Sequence, residues 1–220
     1  MGNITVFAGG FGSGKSEVAL NYALNQAELS EDVILADLDL VNPYFASRDL
    51  REKLEQAGIR LVAPAGDLAF SDVPAIPAEI IGLIRQDNNM VIDLAGDEVG
   101  SLVLGYLSKY VAANQNHELL LVLNPYRPFA QDIESVVYLR DQLEASAHLK
   151  FTGIVSNPNL LGETNPDLIK RGHAKVVGFS KALDIPVSYL TIERKFYSEL
   201  FPVYGETLQV IDLYLRPEWM

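Results

Sequence analysis

Residues able to do chemistry gather at three places in this chain. The first is Gly9-Gly10-Phe11-Gly12-Ser13-Gly14-Lys15-Ser16, a complete G-x-x-x-x-G-K-[ST] run. Glycines let a chain curl tightly with its N–H groups turned inward, which is what a polyphosphate requires. Lys15 would reach the outer phosphates, and the Ser16 hydroxyl would ligate Mg²⁺. Gly10, Phe11, Gly12, Ser13 and Gly14 supply the backbone of this cradle, and Glu17 opens the helix behind it. The second place is Asp37-Leu38-Asp39, where two acids at i and i+2 on an extended chain project to one side. The third is Asp93, which ends the apolar run Met90-Val91-Ile92.

These acids complement the loop. Asp93 has the placement of a Walker-B aspartate that holds Mg²⁺ near Ser16. Asp39 suits alignment of an attacking water and contact with the metal, and Asp37 suits support of that metal. Either of the pair could instead cap a helix beginning near Ser47. A glycine, Gly96, follows Asp93 closely enough to form a loop that senses a terminal phosphate.

The elements needed to position these residues are legible as alternating strands and helices. Strands are expected at 3–8, 33–37, 59–63, 90–93, 119–123, 151–155 and 186–190. Helices are expected at 17–29, 47–57, 78–85, 98–113, 129–147 and 166–183, with one or two short helices after residue 190. Such alternation predicts an α/β chain with three layers: a mostly parallel twisted sheet of about seven strands, covered by helices on both faces. With 220 residues and no evident linker, the expectation is one nucleotide-binding domain over 1–220.

Composition narrows the function classes. Seventeen basic against 29 acidic residues give a net charge of −12, which argues against nucleic acid and anionic membrane as partners. The chain has no cysteine, so disulfides, thiolate nucleophiles and Fe–S clusters are excluded, and its three histidines form no metal-ligand spacing. No apolar run approaches the length of a membrane span and no secretory leader is evident, so the cytoplasm is the expected location. The apolar stretch 208–219 is expected to pack against the domain.

The loop, the D-x-D after the second strand and the Asp93-Leu94-Ala95-Gly96 run, in that order, resemble the MinD/ParA-like class of P-loop proteins (the SIMIBI class). The resemblance spans nearly the whole chain. It implies ATP bound with Mg²⁺ and slow hydrolysis that works a switch on a protein partner. Its synthetase members imply an alternative: a ligase or kinase activating a small molecule, whose substrate would enter by Tyr44, Tyr126 and Arg127. Members that dimerise carry a lysine where this chain has Gly10, so a homodimer would have to use other surfaces. The chain lacks an N-K-x-D segment, which favours ATP over GTP, and Asn157 resembles the adenine-contacting asparagine of the class. Asn157 could equally be a turn residue before Pro158.

Overall fold

The computed structural model describes residues 2–39, 48–63, 76, 79–86, 88–96 and 98–215. Tyr44, expected at the entry of a small-molecule substrate, lies outside this set. Fifteen elements alternate along the chain. In order they are β1 (Ile4–Ala8), α1 (Lys15–Ala27), β2 (Val33–Leu38), α2 (Arg48–Gln56), β3 (Arg60–Val62), α3 (Ile80–Arg85), β4 (Asn89–Leu94) and α4 (Glu98–Val111). There follow β5 (His117–Leu123), α5 (Ile133–Ala147), β6 (Gly153–Ser156), α6 (Pro166–Leu183), β7 (Val187–Glu193), α7 (Tyr197–Tyr204) and β8 (Leu208–Ile211).

The strands form one sheet of eight in the order β3-β2-β4-β1-β5-β6-β7-β8. Every neighbouring pair is parallel. The chain leaves β1 leftward through α1 to β2, whereas β4 crosses rightward over β1 to reach β5. The carboxyl edge of β1 is therefore the point where the winding reverses, and open α/β sheets hold ligands in that crevice.

Strand alternation sorts the core into two layers. Ile4, Val6 and Ala8 of β1 pack under α3, α4, α5 and α6, together with Ile34, Ile92 and Leu121. Phe7, Val33, Leu35 and Val91 face the other way, against Val18, Leu20 and Ala23 of α1 and Leu50 and Leu54 of α2. Asp37 and Asp93 continue the second set by period two, so both carboxyl groups turn toward α1. Among the described residues no helix is long and apolar enough to cross a membrane.

Two expectations are corrected. The sheet has eight strands, all parallel, because Leu208–Ile211 extends along β7 instead of coiling. Pro202 falls inside α7 and Gly205 follows it at φ 54°, so the helix stops there and the β-branched pair Val210-Ile211 continues as an edge strand. The helix expected over 129–147 is divided. A single 3₁₀ turn, Pro128–Ala130, comes first, and extended Asp132 then caps α5 by accepting a hydrogen bond from the Ser135 N–H.

Candidate nucleotide site

The phosphate loop joins β1 to α1 at the reversal of the sheet. Gly12 and Gly14 have φ of +74° and +85°, a region that other residues enter at a cost, and Gly14 is the residue on which α1 begins. The Ser13 N–H donates to Gly10 O (3.1 Å) and closes the turn. Two close approaches fix the loop in place. A Cβ on Gly96 would lie 2.9 Å from Phe11 N, so the segment after β4 rests directly on the loop backbone. A Cβ on Gly10 would lie 2.7 Å from the Phe129 Cβ. Gly10 is thus closed over by an aromatic side chain, which leaves no room for a longer residue there.

Lys15 and Ser16, the first residues of α1, are buried beside the acids. Lys15 Nζ lies 3.6 Å from Asp39 Oδ2. The Asp39 N–H donates to Asp37 Oδ1 at 3.1 Å, which ties the end of β2 to its own side chain. Asp37 and Asp93 are register partners on neighbouring strands, and neither exposes any surface. The structure therefore brings Lys15, Ser16, Asp37, Asp39 and Asp93 into one cluster, as the sequence predicts.

Asp93 is the uncomfortable member. Neither of its oxygens makes a hydrogen bond of ordinary geometry, although the Ser16 hydroxyl lies near enough to act on the carboxyl. Burial pushes its carboxyl up to about 6; Lys15 and the Ser16 hydroxyl draw it down, and Asp39 adds to the rise. Among the described residues no group of three or more His, Asp or Glu forms a metal cage. That suits Mg²⁺, which is held by one or two carboxylates plus water and phosphate oxygens rather than by an all-protein cage. Orphaned carboxylate oxygens next to a serine hydroxyl are hard donors of that kind. Ser16 and Asp93, with Asp39 nearby, fit the ion.

A cavity of about 200 Å³ runs from the loop toward the carboxyl ends of β5, β6 and β8. Gly12, Gly14, Lys15 and Ser16 line one end, and Asn159, Leu161, Leu213 and Leu215 line the other. The apolar end was not legible in the sequence, because packing of the stretch 208–219 against the domain was expected without a place on it. Asn159 was missed for a different reason: a loop asparagine carries no distinguishing signal. Its Oδ1 accepts from the Leu161 N–H (2.6 Å) and the Thr164 hydroxyl (3.2 Å), which fixes its amide nitrogen as the free edge.

Three expected contacts are engaged otherwise. Asn157 donates from Nδ2 to Ser13 O (2.7 Å), and its Oδ1 accepts from the Thr191 hydroxyl (2.7 Å). It sits at the cavity wall as a brace between the phosphate loop and β7, with both amide atoms already bonded. A side chain on Gly14 would displace it, since a Cβ there would meet Nδ2 at 2.3 Å. Glu17 also borders the cavity, but its carboxylate accepts from the N–H groups of Tyr214 (2.7 Å) and Leu215 (3.1 Å). The Tyr126 hydroxyl donates to Leu168 O (2.7 Å) and is spent on packing. Arg127 lines the cavity beside Gly12.

No protein-family model matches the chain, and no curated protein does. Solved structures do. FtsY from Mycoplasma mycoides superposes with a TM-score of 0.60 at 19% identity, covering 87% of this chain and 60% of that one. The signal recognition particle receptor FtsY from Elizabethkingia anophelis, in complex with GDP, gives 0.59 at 22% identity, with 87% and 58% covered. FlhF complexed with GMPPNP and Mg²⁺ gives 0.54 at 15% identity, with 86% and 66% covered. The fold is that of the P-loop NTPases. The chain spans about 60% of the length of the two FtsY structures, and these neighbours are SRP-type members of the P-loop class rather than MinD/ParA-like ones.

Proposed function

We propose that this protein binds a nucleoside triphosphate with Mg²⁺ and hydrolyses it slowly as a conformational switch, in the manner of the MinD/ParA-like class. The observation that carries this reading is the buried cluster of Lys15, Ser16 and three aspartates at the reversal point of the sheet, with Asp93 left unpaired. Structural neighbours solved with GDP and with GMPPNP and Mg²⁺ support it.

Lys15 would pass from Asp39 to the phosphates when the triphosphate enters, freeing Asp39 to align water. Ser16 and Asp93 would hold Mg²⁺, whose charge offsets that of the transferred phosphoryl group. The loop N–H groups and the amino end of α1 add fixed positive dipoles.

Adenine is the base we favour, although the neighbours named above were solved with guanine nucleotides. A carboxylate suits the N1–H and N2 amine of guanine; at the apolar end of the cavity this chain offers the Asn159 amide nitrogen, a donor. The segment between Asp93 and α4, packed on the loop through Gly96, would carry the nucleotide state to a protein partner.

Calorimetry with Mg·ATP and Mg·GTP tests the reading, run on the native chain and on Lys15→Ala. Native binding should prefer ATP, and Lys15→Ala should weaken it by roughly 10²-fold or more, as the principal point charge is lost. Equal affinity in the two proteins overturns the site assignment; preference for GTP overturns the base assignment alone.

A further inference from the structure

Two charged side chains line the cavity outside the cluster above: Glu17, whose carboxylate is taken by the Tyr214 and Leu215 N–H groups, and Arg127. It follows β5 in a turn closed by its own N–H donating to Asn124 O (3.0 Å), and the Ala130 N–H donates to its carbonyl (3.0 Å). The Asn124 amide donates to Asn159 O (2.7 Å), anchoring that turn to the segment after β6. The backbone of Arg127 is thus held from both sides.

Its side chain runs along the phosphate loop. A Cβ on Gly12 would lie 3.6 Å from both its Cδ and its Nε. The Nε–H is buried with no acceptor, and Arg127 takes part in none of the ion pairs among the described residues. A buried donor without a partner costs free energy, and it is found where a ligand supplies the missing acceptor. Lys15, by contrast, is already opposed by Asp39. The loop crest therefore faces an unpaired planar cation across Gly12, from the side away from the aspartates.

We propose that Arg127 is a catalytic residue acting within its own chain, contacting the triphosphate at the loop crest and stabilising the charge that develops during hydrolysis. This rests on the triphosphate reading above. In the step, the water oxygen bonds to the γ-phosphorus. The bond to the β–γ bridging oxygen breaks with its electron pair left on the diphosphate, and the water proton leaves to phosphate or solvent. Arg127 exchanges no proton; it donates hydrogen bonds to oxygens that gain charge, and a guanidinium's fork suits phosphate better than an ammonium does.

The test measures steady-state hydrolysis, Mg·ATP affinity and the affinity for Mg·ADP with aluminium fluoride in native protein, Arg127→Ala and Arg127→Lys. Arg127→Ala should lose roughly 10²-fold or more in kcat, in the range seen when a phosphate-contacting arginine is withdrawn. Its affinity for Mg·ATP should move by less than about fivefold, because the contact strengthens only in the transition state. It should also fail to retain the aluminium fluoride complex, and added ethylguanidinium should restore part of the rate. Arg127→Lys should recover little. Native turnover in Arg127→Ala overturns this proposal alone, as does an equal loss of kcat and affinity. A native chain that binds no nucleotide overturns the triphosphate reading with it.

Discussion

Asp93 sits in an environment that resists its ionisation, and this sets a trade between stability and metal binding. Between about pH 4 and about 6 the folded protein keeps a proton on Asp93 that the unfolded chain has released. Stability from this group therefore falls as pH rises through that window, by about 3 kcal/mol at most. Above it, the folded chain without metal carries an ionised, unpaired carboxylate. Asp93→Asn should accordingly raise the melting temperature of the ligand-free protein at pH 7.5 while abolishing the extra stabilisation that Mg²⁺ adds to ATP. Thermal melts with and without Mg²⁺ check both halves. A variant that melts lower than the native chain would show that the carboxylate has a partner in solution. The chemistry of this cluster was readable in the sequence because a lysine, a hydroxyl and three acids at the ends of apolar runs have few other reasons to coincide. What Asn157 and Glu17 do was not readable. Their bonding is decided by Thr191 and by the backbone of Tyr214 and Leu215, which lie 34 and about 200 residues away.

At the level of elements, α6 was the most legible. α6 starts where Asn165 accepts a hydrogen bond from the Leu168 N–H and Pro166 takes the first turn, and its bounds match the expectation from sequence. β8 was hidden because four residues of mixed character do not separate an edge strand from a helical turn by period alone. One residue of α6 makes this part of the fold sensitive to acid. His173 is buried, with Nδ1 3.0 Å from the Ser156 hydroxyl and its ring edge-on to Tyr204. Burial holds its pKa below the ordinary value. In the unfolded chain the imidazole takes a proton near pH 6.5, and in the folded chain only at lower pH. Stability present above about 6.5 is therefore lost as pH falls below it. His173→Gln, which cannot titrate, should flatten this slope between pH 7 and 5 in urea denaturation. An unchanged slope would assign the acid sensitivity to other groups.

The whole molecule is closed by its last described segment. Asn21 of α1 accepts a hydrogen bond from the Asp212 N–H (2.8 Å) and donates to its carbonyl (2.9 Å). Glu17, one residue from Ser16, holds the next two N–H groups but one. Arg194 pairs with the Asp212 carboxylate at 2.8 Å and steadies the same strap from β7's side. Leu213 and Leu215 are thereby pressed against the cavity that begins at the phosphate loop. Glu17→Gln keeps the side chain's size but loses a charged acceptor, and such bonds contribute about 1.5–3 kcal/mol. This variant should release bound nucleotide faster, by roughly tenfold, with little change in the rate of the hydrolytic step. Stopped-flow displacement of a fluorescent nucleotide measures the first, and single-turnover hydrolysis the second. Unchanged release would mean that the strap does not gate the cavity.

The same strap gives the molecule a direction in time. During synthesis the phosphate loop emerges about two hundred residues before Leu213 and Leu215, which line the same cavity. β1 lies between β4 and β5, so both of its sheet neighbours are made well after it. Contacts so distant along the chain form slowly. A ribosome-bound chain stalled before residue 212 would carry the loop sequence but an open-sided cavity, so closure of the cavity has to wait for that strap.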